Sequence, residues 1–304
     1  MGCHASAPAD GERRTPRGGF SPAAKVVFAT QSTVSKAVRQ LEDEFEAPLL
    51  DRIGHKSSLT PVGEVVYRRA LRILAEREDL LTELDDLRGL KRGTLRLGLP
   101  PVGSSTLFAP LFAVYRQRYP GIDIRLVEHG ADRLEEILQA GDIELAASLL
   151  PAPQDFAWQP VRSEPLTVLL PFAQARGREA TTTLAALKDL PFVLFEEGFA
   201  INRMILDICH QQGFEPRIVA RSSQIDFIVE LVSAGLGVAF LPRLIAVQQR
   251  RATIHQAELL DPGTQWQLAM MWRKKAYLSR AARVWLEILQ ETDTGDAGNL
   301  AALR

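Results

Sequence analysis

Apolar residues at Val34, Ala37, Val38, Leu41 and Phe45 recur at the three/four spacing of one helical stripe, so Thr30 to Glu44 reads as an amphipathic helix. A second periodic stretch follows Thr60 and Pro61, which suit the N-cap and first position of a long helix. In it Val66, Ile73, Leu80 and Leu87 recur every seven residues with Ala70 and Leu84 half a heptad out, which predicts a coiled-coil seam. After LKRG the pattern changes to strands alternating with helices. Strands are expected at Gly93 to Leu99, Ile122 to Glu128 and Leu145 to Leu149, with helices at Leu107 to Tyr119 and Arg133 to Ala140. A second such unit is read from Leu166 through Phe192 to Phe195, Ile201 to Gln212, Arg217 to Arg221, Ile225 to Ala234 and Val238 to Leu241. Trp266 to Trp272 and a helix from Ser279 to Gln290 close it. Such alternation implies an α/β fold of parallel, doubly wound sheets.

Smaller signals fill the front of the chain. Residues Met1 to Gly18 carry Gly, Ala, Pro and charge without an apolar period and are expected to be disordered. Phe20 to Ala29 reads as a short helix with Ser21 as cap and Pro22 in its first turn, giving a helix-turn-helix with the stripe that follows. APLLDRIGHKSSLT then reads as a basic hairpin, or wing, turning near Gly54 and closed by Leu59. Asp293 to Arg304 is expected to be a loose tail.

Composition narrows the class. At 304 residues, 46% hydrophobic and 24% charged, the chain has the make-up of a globular protein of two or three domains. No apolar run reaches the length of a membrane span and no secretory signal is evident, so cytoplasm is the expected compartment and no membrane partner is expected. Cys3 and Cys209 are too few for a disulfide framework or a four-thiolate zinc site. Cys209 and His210 point about 100° apart on one helix and suit core and surface better than a metal. Between Arg13 and Arg72 eleven Lys/Arg face six Asp/Glu, a surplus of five, so a net charge of -1 leaves the remainder acidic. That asymmetry is a cue for a nucleic-acid-binding end.

The helix from Thr30 to Glu44 supplies the specificity that charge lacks. Its leading turns offer Gln31, Ser32, Thr33, Ser35, Lys36 and Arg39, while Glu42, Asp43, Glu44 and Glu46 lie at its far end. Donors at an N-terminus with acids held back suit entry into a major groove. Gln31 is the best candidate for a base contact, since an amide can bind adenine twice, and Lys36 and Arg39 suit phosphate. Ser35 is equally suited to a local backbone hydrogen bond.

GGFSPAA, QSTVSKAVRQLE, PLLDR followed by LTPVGE, YPGIDIRL and LVSAGLGVAFLP appear in one order from Gly19 onward, and by these motifs the chain resembles the LysR-type transcriptional regulators. The resemblance implies a winged helix-turn-helix at 19–60, a dimerising linker helix at 61–90, and a two-lobed effector domain of periplasmic-binding-protein type. The lobes are expected at 93–165 with 266–290 and at 166–265, with an atypical N-terminus at 1–18 and a tail at 291–304. It adds Arg52, His55 and Lys56 of the wing to the DNA contacts. The family's cleft positions fall on Val102, Gly103, Ser104, Ser105 and Thr106, on His129 and Ala131, on Phe199 and Asn202, and on Gln224 or Ile225. The partners implied are double-stranded promoter DNA, further copies of the chain in a homodimer or homotetramer, a small-molecule effector and RNA polymerase. The family also has a helix ahead of GGF that Met1 to Gly18 does not match, and a glycine where this chain has Glu46, which would strain a left-handed helix end.

Hydroxyls and backbone N–H groups of Ser104 to Thr106 at a helix start favour an anion, and no arginine cluster surrounds these loops, so a small organic acid is the expected ligand. No cofactor or metal is expected. Catalysis is not: GxSxG, phosphate-loop, dinucleotide and HExxH patterns are all missing from the sequence. A ligand-binding remnant with impaired DNA binding is the rival reading.

Overall fold

The computed structural model describes residues 29–53, 56–87, 93–175 and 180–293. The expectations for Met1 to Gly18, for the helix from Phe20, for Gly54 and His55 of the wing turn and for the tail after Asp293 lie outside them. Chain contacts divide the protein into two units, Met1–Leu74 and Ala75–Arg304.

In the N-terminal unit, helix α1 spans Gln31–Glu44 and a hairpin follows, β1 (Leu50–Ile53) and β2 (Lys56–Leu59). Thr30 caps α1, its Oγ1 accepting from the Thr33 N–H at 3.2 Å. The hairpin is antiparallel, with Leu50 opposite Leu59 and Arg52 opposite Ser57. Helix α2, Pro61–Leu87, starts as the sequence indicates: the Thr60 hydroxyl accepts from Gly63 N–H at 2.9 Å and donates to the Pro48 carbonyl at 2.6 Å. One acidic residue at the end of α1 has a structural use, since Glu42 Oε1 accepts from the N–H groups of Leu49 and Leu50 at 2.9 and 3.3 Å. Glu46 adopts φ 50°, in the left-handed region where a Cβ is costly. Glu46→Gly is therefore expected to stabilise this unit by about 1 kcal/mol, read as a higher urea midpoint by circular dichroism.

The C-terminal unit is built on an eight-stranded sheet in the order β4-β3-β5-β12-β6-β11-β7, with β10 also paired to β6. Strands β3 (Gly93–Leu99), β4 (Ile122–Glu128) and β5 (Leu145–Leu149) are parallel and carry helices α3 (Ser104–Arg118) and α4 (Ala131–Gln139) in their crossovers. The second lobe holds β7 (Thr181–Thr182), β8 (Phe192–Phe195), α5 (Ala200–Gln211), β9 (Ile218–Ser222), α6 (Ile225–Ser233), β10 (Ala239–Pro242), α7 (Arg243–Ala246) and β11 (Ile254–Leu259). The return strand β12, Gln265–Arg273, leads to α8, Arg280–Asp293. Aromatic packing anchors α3 to α8: Trp285 lies 4.9 Å from the Phe112 ring and 5.4 Å from the Tyr115 ring, and Tyr115 Oη donates to the Ala281 carbonyl at 2.9 Å.

Two expectations about this unit are corrected. The strand expected to start at Leu166 is β6, Phe156–Pro171, a single 16-residue strand shared by both lobes. Its first half was hidden by Pro160 and Pro165, which ordinarily punctuate loops. Pro160 is tolerated where the register with β12 shifts, Leu268 pairing with Arg162 and Ala269 with Pro160, so that Val161 bulges. The segments that pair across the two lobes are therefore 156–165 and 265–273, whereas Val168 to Leu170 pairs with β10 and β11. Lastly, the sheet is mixed rather than all parallel, because a chain that crosses on β6 and returns on β12 must run those strands antiparallel.

Candidate functional site

At about 100° per residue, Gln31, Ser35, Arg39, Ser32 and Lys36 fan over an arc of roughly 140° on α1, opposite the stripe from Val34 to Phe45. Gln31, Ser32, Lys36 and Arg39 are exposed and Ser35 is half-buried. Thr33 falls outside that arc, and its hydroxyl lies 2.8 Å from the capping Thr30 Oγ1; Ser32 Oγ is 2.7 Å from the same atom. Both hydroxyls thus help order the first turn. Leu41 and Phe45 remain 40% and 43% exposed, so the described part of the unit leaves the end of the apolar stripe uncovered. Arg52 and Lys56 stand on the paired wing strands, opposite Ser57 and Ile53; His55 lies outside the described residues.

The second candidate site lies between the lobes of the C-terminal unit. A cavity of about 20 Å³, room for one water, is lined by Pro100, Val102, Ala131, Phe199, Trp266 and Leu268 among others, with Ser148 as its hydroxyl. Of the expected effector positions, Val102, Ala131 and Phe199 line it. Gly103 (φ 94°) starts α3 with no side chain capping the helix, and a Cβ there would lie 3.0 Å from Trp266. Ser104 is buried and donates its hydroxyl to the Pro100 carbonyl; Ser105 is exposed; Thr106 Oγ1 accepts from Gln248 of the other lobe at 3.3 Å. Hence the donors this turn has free are its backbone N–H groups and Ser105, not three hydroxyls.

His129 is half-buried at the end of β4, and burial first, then the nearby Arg133 charge, lowers its pKa below the ordinary imidazole value. Both effects favour the neutral imidazole, which can donate or accept a hydrogen bond, over a positive charge. Asn202 must also be corrected. Only 5% exposed, its Oδ1 accepts from Phe195 N–H at 3.1 Å and its Nδ2 donates to the Phe195 and Glu196 carbonyls, both at 2.8 Å. The amide braces the β8 exit and has little left for a ligand. Gln224 stands exposed at the N-cap position of α6 without a side-chain capping bond, and Ile225 is half-buried; neither lines the cavity.

Ser148, Trp266 and Leu268 were not legible as site residues. Ser148 is the one hydroxyl in the apolar strand LAASL, a signal that could have been weighed; Trp266 and Leu268 needed the crossing-strand register. Behind Ser148, whose Oγ is 3.4 Å from Glu135 Oε1, burial pushes the Glu135 carboxyl up. The lobes meet at Gly130 and Gly198, where a Cβ on Gly130 would lie 2.8 Å from the Gly198 carbonyl oxygen. Asp132 N–H donates to that oxygen at 3.2 Å, and Arg203 reaches Asp132 at 3.4 Å. Cys209 is buried and His210 exposed, as their spacing indicates.

A helix with donors along one face, a wing after it and a two-lobed domain further along the chain are the parts of a DNA-binding transcriptional regulator. Residues 88–294 match the LysR substrate binding domain and residues 16–64 the bacterial regulatory helix-turn-helix protein, lysR family; the chain belongs to the LysR family of DNA-binding transcriptional regulators. It is 35% identical over 269 residues to the uncharacterized HTH-type transcriptional regulator YwbI of Bacillus subtilis (strain 168), covering 88% of this chain and 89% of that protein. The fold is shared with the Corynebacterium glutamicum OxyR C206 mutant (TM-score 0.59, 24% identity, 93% and 90% of the two chains covered). It is shared too with full-length CbnR complexed with its target DNA (TM-score 0.53, 22% identity, 90% and 94% covered). Among the described residues no helix is long and apolar enough to cross a membrane.

Proposed function

We propose that this regulator reads an interrupted palindrome in promoter DNA as a homodimer or homotetramer, acting in the cytoplasm on RNA polymerase, and that a small organic acid between its lobes sets its activity without any further cofactor. The observation that carries the DNA half is the arc of Gln31, Ser32, Ser35, Lys36 and Arg39 opposite the apolar stripe of α1. The apolar face is suited to packing while the opposite face offers donors to base edges and phosphates. Self-association is supported by Ile73 and Leu80 of the linker seam, which stand 70% and 55% exposed. Apolar side chains at heptad spacing are stabilised when a second helix covers them.

The ligand half rests on the cleft. Its walls are apolar, and the uncapped start of α3 supplies partial positive charge where an anion would sit. Arg52, Lys56, Lys36 and Arg39 would contact phosphate, so duplex affinity is expected to fall steeply with added salt. Gln31→Ala is expected to cost about 1–3 kcal/mol at one base position per half-site and to relax preference there, measured by selection from randomised duplexes. A uniform loss across all sequences would instead assign Gln31 to the backbone. A thermal-shift panel of small carboxylates tests the cleft; if none raises the melting temperature of the full-length protein, the organic-acid reading fails.

A further inference from the structure

Helix α2 carries two opposed faces. Counting about 100° per residue, Ile73, Leu80 and Leu84 cluster within roughly 40°, whereas Ala75, Asp79 and Thr82 lie about 180–240° away. The first set is exposed. The second is fastened to the C-terminal unit. Arg273 Nη2 donates to Asp79 Oδ1 at 2.6 Å, with the two side chains only 12% and 8% exposed. Arg96 Nη2 donates to Thr82 Oγ1 at 3.4 Å, and a Cβ on Gly141 would stand 2.9 Å from the Ala75 Cα. Asp79 Oδ2 is buried with no partner among the described residues.

A half-satisfied buried carboxylate is a poor way to gain stability. An apolar pair of similar volume would serve folding as well or better. What such a pair can supply is position: a single buried charged hydrogen bond forms in one register of the helix against the sheet, where apolar packing tolerates several. Arg273 ends β12, the strand whose Leu268 and Trp266 line the cavity, about 17 and 24 Å further back at ordinary strand rise. The same strand pairs along 156–165 of β6, so the two lobes pull on it directly.

We propose that Asp79 and Arg273 are positioning residues through which β12 sets the linker helix, so that a change in the cleft re-aims the seam on the opposite face and with it the separation of paired DNA-binding heads. The inference rests on the paired-head reading given above. Neither residue touches DNA or ligand in this scheme. Their effect is confined to geometry, which separates them from residues that bind.

The test uses the full-length protein, Asp79→Asn and the charge swap Asp79→Arg with Arg273→Asp. Two quantities are read: deuterium uptake of segment 75–87, and the ratio of affinities for duplexes carrying two copies or one copy of the half-site that wild-type protein selects from a randomised pool. In D79N the segment is expected to exchange at least tenfold faster and the ratio to change at least fivefold, with one-copy affinity held within twofold. The swap is expected to recover both, which a purely steric role would not allow. An unchanged ratio overturns the inference; so does a joint fall of both affinities with exchange rising across the whole C-terminal unit, since the pair is then ordinary core. If wild-type protein selects no duplex, the DNA reading has failed, and unchanged exchange of 75–87 in D79N would still overturn the clamp by itself.

Discussion

Gly63→Ala is expected to abolish duplex binding, lowering affinity at least tenfold, while the C-terminal unit melts unchanged. By helix propensity alone the substitution should help, since alanine is favoured over glycine by about 1 kcal/mol inside a helix. Here the sign reverses. A Cβ on Gly63 would lie 2.0 Å from the Leu49 carbonyl oxygen and 2.9 Å from its carbon, and both are backbone atoms without a rotamer to change. That carbonyl also accepts from Thr60 N–H at 3.0 Å, so moving it breaks the cap of α2 and the Leu49 packing together. Relief of the clash requires α2 to lift from the start of the hairpin, at a cost of several times the propensity gain, on the order of 3 kcal/mol or more for a small unit. All four tryptophans, Trp158, Trp266, Trp272 and Trp285, belong to the other unit, so their fluorescence reports it alone. Wild-type duplex affinity in the alanine variant would show that the close approach is dispensable.

Asn202→Ala is expected to have the second large effect, on stability and not on ligand selectivity. It removes the amide from the Phe195 N–H and from the Glu196 carbonyl, while the Phe195 carbonyl keeps Arg221 Nη1 as a donor at 3.2 Å. Orphaned buried groups cost about 1–3 kcal/mol each, and partial relaxation brings the expected total to about 3 kcal/mol. For a unit of this size that is a fall in melting temperature of roughly 6–12 °C. Tryptophan fluorescence follows it. If the alanine variant melts like wild type but loses its response to an acid that stabilises the parent, Asn202 is a ligand contact after all and the brace is secondary.

The parts of the fold that a reader could take from the sequence are those with short-range causes. The stripe of α1, the Thr60–Pro61 start of α2 and the alternation from β3 to β5 each arise within one element, from spacing, capping and turn chemistry. The parts that escaped depend on pairing between distant segments. Whether Pro160 ends a strand or sits at a bulge is decided by β12, more than a hundred residues later. Asn202 looks like any polar residue at a helix start, and only the path of the chain after Phe195 turns its amide inward. Likewise the hydroxyl of Ser104 was available on paper and is bound to Pro100 in the fold. The candidate site was thus legible as a location, the loops after the strands, and far less as a set of side-chain roles.

A cavity with room for one water is too small for an organic acid, so a ligand of the proposed kind would need the lobes to move apart. Admission waits on spontaneous parting of the lobes, so apparent affinity equals intrinsic affinity diluted by the fraction of molecules ajar. Stopped-flow traces should therefore reach a plateau rate at high ligand concentration, set by the protein's own breathing and indifferent to which acid is offered.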